Sequence, residues 1–132
     1  MKNRCYTYFR IVGKFNTDDV SNILKLTPEK KWDIGDPRPN GSKFDFANWS
    51  IGYCEDYNID TSAQMEKTIS ILMDKKEELK QIREKFDVEF YLEVVPTLCI
   101  EEYTPALAPS MAVIDFCYET RTTIDIDLYL ED

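Results

Sequence analysis

The chain contains no histidine, and this absence excludes several classes of enzyme and metal site. Serine and cysteine hydrolases usually need a histidine base, and most transition-metal sites use imidazole ligands. Carboxylate chemistry stays open, but no motif in the sequence requires it. We therefore expect no metal site, no cofactor and no catalytic residues.

Closely spaced cysteines are missing as well. Cys5, Cys54, Cys99 and Cys117 are scattered along the chain, and no two of them form the C-x-x-C pair that is typical of zinc and redox sites. A nucleophilic cysteine would also need the base that the chain lacks. We expect four buried free thiols, because isolated cysteines in apolar surroundings behave as small hydrophobic residues.

Long apolar runs are absent too. No run approaches the roughly 20 residues that a membrane-spanning helix needs. The N-terminal segment alternates polar and apolar residues, unlike the continuous apolar core of a signal peptide. At 132 residues the chain is long enough to bury one ordinary core. We expect a single domain over residues 1–132 that is cytoplasmic and not associated with a membrane.

Positive charge is scarce relative to negative charge. The chain has 16 basic and 25 acidic residues, for a net charge of −9. Nucleic-acid binders usually carry a net basic surface, because neutralising phosphates supplies much of their affinity. We therefore expect no nucleic-acid partner, whereas a basic protein is a compatible one.

The hydrophobic pattern predicts a regular alternation of strands and helices. Strands are predicted near residues 4–13, 32–34, 46–53, 88–95, 98–103 and 124–130. Helices are predicted at 18–25, across 62–85 as one kinked or two short helices, and at 109–120. The order β-α-β-β-α-β-β-α-β predicts an α+β fold, with an antiparallel or mixed sheet and helices on one face. Its first part is compatible with a ferredoxin-like unit.

The stretch from Lys31 to Ser50 holds both tryptophans and two turn signals. One interpretation is a small pocket or peptide groove with indole walls and a polar handle. The other is that the tryptophans pack the core while an aspartate caps a turn. The ligand-binding candidates under the first interpretation are Trp32, Asp36, Arg38 and Trp49.

A second candidate is the sheet face opposite the helices. If the strands share one sheet, this face collects tyrosines and carboxylates, which would suit a basic partner because tyrosine is favoured at interfaces and acidic groups steer association. A merely solvated sheet face could show the same residues, and strand order cannot be read from the sequence. The partner-binding candidates are Tyr6, Tyr8, Tyr91, Glu93, Asp125, Asp127 and Tyr129.

Paired carboxylates keep an enzymatic alternative open. Asp125 and Asp127 lie two residues apart on a predicted strand and share a face, as do Glu89 and Glu93. A raised pKa on one member of such a pair could serve acid–base or glycosidic chemistry. No nucleophile or phosphate-binding loop accompanies them, so a carboxylate-based enzyme ranks below a binding protein.

Four short motifs stand out along the chain: F-x-I-x-G (Phe9, Ile11, Gly13), L-T-P (Leu26, Thr27, Pro28), W-x-x-G-D (Trp32, Gly35, Asp36) and W-S-I (Trp49, Ser50, Ile51). Together they resemble an uncharacterised bacterial family that is known only as a domain of unknown function. The resemblance runs nearly end to end, through the middle helix to the final I-D-I-D-L-Y strand. It implies a small single-domain protein with no assigned activity, cofactor or catalytic residues.

Together these features favour a non-enzymatic protein-binding domain. Its most concrete form is an immunity-type inhibitor of a basic toxin, since some proteins of this size and style are encoded beside secreted toxins. The alternative is a small-ligand binding module that uses the loop between Trp32 and Trp49. The biological role, the identity of partner or ligand and the oligomeric state stay open.

Overall fold

The structure, a computed structural model, describes residues 2–57 and 59–132. It has an α+β architecture in which one mixed sheet is covered by helices. The strands are β1 (Arg4–Lys14), β2 (Lys30–Trp32), β3 (Ala47–Asp56), β4 (Asp87–Cys99), β5 (Thr122–Ile126) and β6 (Tyr129–Glu131). The helices are α1 (Thr17–Leu24), α2 (Thr61–Ser70), α3 (Lys76–Lys85) and α4 (Met111–Thr120).

The sheet has the strand order β2-β3-β1-β4-β5, and β6 pairs with β4 beyond the end of β5. The first four strands pair antiparallel, whereas β5 and β6 run parallel to β4. Because β3 lies between β1 and β2, and β1 lies between β3 and β4, the first part of the chain has a ferredoxin-like arrangement. The first strand of the sequence is therefore the centre of the sheet.

The core lies on one side of the sheet. Along β1, alternate side chains are fully buried while those between them are partly exposed. This period of two is what a sheet with one covered face requires. All four helices contribute buried side chains to the same core, so the prediction of helices on one face is confirmed. The largest fully buried side chains are Trp49, Phe9, Phe90 and Phe116.

The predicted helical region at 62–85 consists of two helices. Helix α2 ends at Ser70, a turn follows, and α3 begins at Lys76. Asn16 caps the N-terminus of α1 and Asp60 caps that of α2, since their side chains accept from the backbone N–H groups of Asp18 and Ala63. The hydroxyl and the backbone N–H of Thr17 both donate to the Asp33 carboxylate, at 2.9 and 2.8 Å, which ties the start of α1 to the residue after β2.

The C-terminal strands differ from the prediction. Strand β4 does not end at Pro96 but continues to Cys99, so no separate strand occupies 98–103. Pro96 fits because it falls between the part of β4 that pairs with β5 and the part that pairs with β6, where neither uses its missing N–H. The predicted strand at 124–130 is divided into β5 and β6.

Two expectations from composition can be compared with the structure. Cys5, Cys99 and Cys117 are buried free thiols, but Cys54 is partly exposed because it lies beyond the covered part of β3. In the described ranges, 2–57 and 59–132, no helix combines the length and apolar character that a membrane crossing requires.

Candidate functional site

The face of the sheet opposite the helices carries a shallow cavity of about 300 Å³, which we call the open-face cleft. It lies over β2, β3 and β1, toward one edge of the sheet. Its volume is at the lower end of the range for ligand pockets, so it suits a small molecule. It is lined by Tyr6, Tyr8, Arg10, Lys30, Trp32, Asn48, Ser50 and Tyr53.

Strand register places the floor of the cleft in two rows. Lys30 is paired with Ser50, and Ser50 with Arg10, so these three side chains cross the sheet side by side. Trp32 is paired with Asn48 in the next row on the same face. Residues two apart on a strand share a face at a spacing of about 7 Å. The floor thus has a row with Lys30 and Arg10 beside a row with the Asn48 amide, and the Trp32 side chain stands at the end of that second row.

Trp32 forms a fixed wall of the cleft. Its indole Nε1 donates to the carbonyl of Phe46 at 3.0 Å, and its ring stacks on Phe44 with centroids 4.2 Å apart. The guanidinium carbon of Arg38 lies over the Phe44 ring at 4.6 Å from its centroid, which extends the stack of planar groups. Lys30 Nζ lies 5.7 Å from the indole centroid, a favourable distance for a cation near a ring. The loop therefore holds Trp32 in one orientation.

Asn48 carries an unsatisfied polar atom at the cleft. The residue is only 2% exposed, and its Nδ2 donates to Ser50 Oγ at 2.8 Å. Its Oδ1 has no hydrogen-bond partner among the described residues. A buried acceptor that stays unpaired costs about 1–3 kcal/mol. Because Oδ1 has almost no exposed surface in this conformation, a donor from outside the protein would remove this cost only after the amide turns toward the cleft.

Three tyrosines form the opposite wall. Tyr6 stacks on Tyr8 with ring centroids 6.1 Å apart, and on Tyr53 at 5.6 Å. Tyr53 reaches this position because Gly52 and Tyr53 together face a single residue of β1, which makes a β-bulge. Gly52 has φ of +78°, a conformation that side chains disfavour.

Two of these tyrosines are held in the neutral form. A hydrogen bond to Glu55, at 2.8 Å, is the main reason that the pKa of Tyr53 rises to about 12. Burial, and then the neighbouring Glu93, raises the pKa of Tyr8. Neither phenol is therefore expected to become a phenolate near pH 7 and repel an anion in the cleft.

A buried ion pair marks the inner border of the cleft. Arg10 Nε donates to Glu93 Oε2 at 2.7 Å, and the Glu93 side chain is 5% exposed. Burial is the main reason that the pKa of Glu93 rises to about 7, and a hydrogen bond with Asp125 adds to it. These two effects outweigh Arg10, which lowers the pKa. Near pH 7 Glu93 is thus only partly ionised, and it cancels only part of the charge of Arg10.

The four ligand-binding candidates from the sequence are separated by the structure. Trp32 lines the cleft, whereas Trp49 is fully buried on the helix side, where its Nε1 donates to Ser21. Asp36 accepts from the backbone N–H of Asp33 at 2.8 Å and so closes a turn. Arg38 supports the wall from behind without lining the cleft. Among the four candidates, Trp32 alone lines the cleft.

The seven partner-binding candidates lie closer together. Tyr8, Glu93 and Asp125 are side by side on neighbouring strands, and Tyr6 and Tyr91 lie on the same face of the sheet. Asp127 falls in the short break after β5, where it accepts a hydrogen bond from Tyr129 at 2.9 Å. The face predicted from alternation exists, but Glu93 is buried within it.

Sequence reasoning missed most of the polar lining of the cleft, namely Arg10, Lys30, Asn48 and Ser50. A signal was present, because Asn48 and Ser50 alternate with the buried Trp49 and Ile51. Their meaning depends on the pairing of β3 with β1 and β2, which alternation does not reveal. Among residues 2–57 and 59–132, no group of three or more carboxylate or thiol side chains could hold a metal ion.

Comparison with protein families matches residues 3–131 to the family described as Domain of unknown function (DUF4279). The chain belongs to this family. The match covers every strand and helix and all residues of the cleft, so the DUF4279 domain is the unit that carries the site. Neither a curated protein nor a solved structure matches the chain.

Proposed function

We propose that this DUF4279 domain is a non-enzymatic binding domain that holds a small molecule in the open-face cleft. The observation that carries the proposal is the unpaired Oδ1 of Asn48, which is buried in the floor of a concave cavity with aromatic walls. Cavities with apolar walls and a few placed polar groups are typical ligand sites. The ligand would supply the donor that Asn48 lacks.

The enzymatic alternative finds less support in the geometry. The interacting carboxylates are Glu93 and Asp125 on neighbouring strands, not a pair within one strand. Glu93 is bound to Arg10 and is nearly inaccessible, so it does not face the cavity as a general acid would. Its raised pKa follows from burial, which structural ion pairs also experience.

The proposal is tested by screening a diverse library of small polar molecules against the purified protein. A ligand should raise the melting temperature and change the fluorescence of Trp32, which lines the cleft. The same ligand should not raise the melting temperature of a Trp32→Leu variant. Trp49 lies on the other face of the sheet and cannot contact the ligand, so the fluorescence change reports on Trp32. If no compound at millimolar concentration shifts the melting temperature, the small-ligand proposal fails.

A second candidate is binding of a basic protein, with an immunity-type inhibitor of a toxin as its concrete form. One observation favours it: the outermost strands expose apolar side chains beside carboxylates. Ile126, Leu128 and Leu130 are 41%, 47% and 70% exposed, and Asp125 and Asp127 alternate with them. An exposed strand edge of this kind can pair with another chain.

This second candidate is tested by affinity capture from the native cell lysate at low and high salt. A stoichiometric basic protein that elutes with salt should no longer be retained by an Asp125→Lys, Asp127→Lys variant. Capture that is equally strong with the variant would remove the acidic edge from consideration. A Glu77→Lys, Glu78→Lys variant on α3 is the control for the same change in net charge.

A further inference from the structure

The charge of the cleft is opposite to that of the whole protein. The chain has a net charge of −9, yet the cleft lining contains two cations, Arg10 and Lys30, and no carboxylate. Lys30 has no ion-pair partner within 4.0 Å among the described residues, and Glu93 occupies only the Nε side of Arg10. A cleft of this composition attracts an anion in spite of the acidic surroundings.

The walls of the cleft favour a flat group. Trp32 stands on one side, and the stacked Tyr6, Tyr8 and Tyr53 stand on the other. Aromatic side chains gain most from planar partners that stack on their faces or meet their edges. The cavity of about 300 Å³ has room for one substituted ring rather than a dinucleotide.

The two rows of the floor fix where the polar groups of the ligand must be. Lys30 and Arg10 occupy one row of paired positions, and Asn48, whose Oδ1 is unpaired, occupies the next. Adjacent same-face positions along a strand are about 7 Å apart. A six-membered ring with substituents at opposite ends spans a comparable length. The anion and the donor of the ligand should therefore lie at opposite ends of the ring.

From this arrangement we infer that the cleft selects a single-ring aromatic anion with a hydrogen-bond donor opposite its acidic group. The carboxylate or phosphate lies between Lys30 and Arg10, and the ring lies between Trp32 and the tyrosines. The donor meets Asn48 Oδ1 once the amide turns toward the cleft. This inference rests on the proposed function, because it names the ligand class of the same cleft.

The test is calorimetric titration of the full-length protein with five matched probes. Para-hydroxybenzoate has the anion, the ring and the donor. Para-hydroxybenzamide lacks the charge, benzoate lacks the donor, ortho-hydroxybenzoate has the donor at the wrong position, and acetate lacks the ring. Para-hydroxybenzoate should bind most tightly of the five.

Substitutions test which residue makes each contact with the ligand. Lys30→Gln should weaken para-hydroxybenzoate by about fivefold, a typical size for one exposed charge contact. Lys31→Gln is the matched control, because Lys31 is the next residue of β2 but bonds to Asp18 on the other side of the sheet. Asn48→Leu should abolish the advantage of para-hydroxybenzoate over benzoate. If Asn48→Leu does not fold, the ortho isomer and benzoate test the same contact on the unaltered protein.

The outcomes separate this inference from the proposed function. Binding of para-hydroxybenzamide or acetate as tight as that of para-hydroxybenzoate overturns the inference, as does equal weakening by Lys31→Gln and Lys30→Gln. If no probe binds but the diverse library gives a ligand that depends on Trp32, the inference fails and the proposed function stands. If neither the probes nor the library bind, both fail.

Discussion

The two halves of the open sheet face have opposite charge although they share the same sheet. The half over β2, β3 and β1 presents Arg10 and Lys30 among aromatic rings, while the half over β4, β5 and β6 presents Asp125 and Asp127. The Arg10–Glu93 pair lies on the border between them. The comparison shows that the net charge of −9, which is a sum over the whole chain, conceals a cationic cleft.

The largest expected effect comes from a substitution at the β-bulge of β3, which lies in the cationic half of the face. In Gly52→Ala the new Cβ would lie 2.5 Å from the carbonyl oxygen of Thr68, at a φ of +78°. The left-handed conformation costs about 1–2 kcal/mol, and overpacking adds about 1–3 kcal/mol. Urea unfolding should therefore show a loss of about 2–5 kcal/mol, together with loss of ligand binding.

Gly41→Ala is the matched control for this substitution. Gly41 has a similar φ of +87°, but nothing lies within 4 Å of its added Cβ. The free energy of unfolding of this variant should fall only by the conformational cost of about 1–2 kcal/mol. Equal losses of unfolding free energy in the two variants would show that the close approach of Gly52 to α2 does not contribute to the effect.

The second effect concerns the border between the halves. Below pH 4.5 Glu93 is protonated in both the folded and the unfolded chain and contributes nothing. As the pH rises from about 4.5 to about 7, the unfolded carboxyl loses its proton while the folded one keeps it, since burial raises the folded pKa. The contribution of Glu93 to the free energy of unfolding should fall by about 2–3 kcal/mol over this window.

Comparison with Glu93→Gln isolates this contribution, because other carboxyl groups also titrate in the same range. The difference in the free energy of unfolding between the two proteins is measured by urea titration at several pH values. It should change from about pH 4.5 to about pH 8 and be flat above that, because the folded carboxyl is only half ionised at its pKa of about 7. A difference that is constant with pH would mean that the pKa of Glu93 is not raised.

A smaller effect tests whether the acidic half acts on the border. Asp125 raises the pKa of Glu93 through a hydrogen bond and its negative charge. Asp125→Asn should therefore lower the pKa of Glu93, as followed by NMR of its side-chain carboxyl. Asp127→Asn, whose carboxylate bonds to Tyr129, should leave that titration midpoint in place. An unchanged midpoint in both variants would show that Asp125 does not affect the pKa of Glu93.

The smallest effect is expected at the far end of the acidic half. Arg4 pairs with Glu131 at 2.6 Å and links β1 to the last strand, but both side chains are partly solvated. Exposed ion pairs contribute little, because water screens them and long side chains lose freedom. Arg4→Gln should barely change the melting temperature in about 0.5 M salt, which screens the residual attraction between the two charges. A large loss would show that β6 depends on this pair.

The amount that the sequence could predict differs between the fold and the site. Period-two alternation identified the strands and the buried face, because alternation is a local property of Phe9, Ile11 and their neighbours. It could not identify the cleft, since Lys30, Ser50 and Arg10 come together only through strand pairing across the sheet. The sequence also singled out Trp49 with Trp32, although the adjacent strands point the two indoles to opposite faces.

The expectation of one acidic face had a similar origin. Tyr91, Glu93 and Asp125 were correctly assigned to the face opposite the helices, but the cations that share this face were left out of account. Glu93 in particular could not be recognised as buried, because its burial comes from its neighbours Tyr8 and Arg10 on β1. Side-chain environment on a sheet is set by the neighbouring strands.

The central position of β1 has a consequence for how the chain folds. β1 is made first during synthesis, yet it pairs with β4 from Arg4 opposite Thr97 to Lys14 opposite Asp87, across most of the chain. Such distant pairings are slow to form because a long loop must be closed first. Until β4 leaves the ribosome, the apolar side of β1 has no complete set of partners. The nascent chain must therefore keep β1 from aggregating until the later strands of the domain have been made.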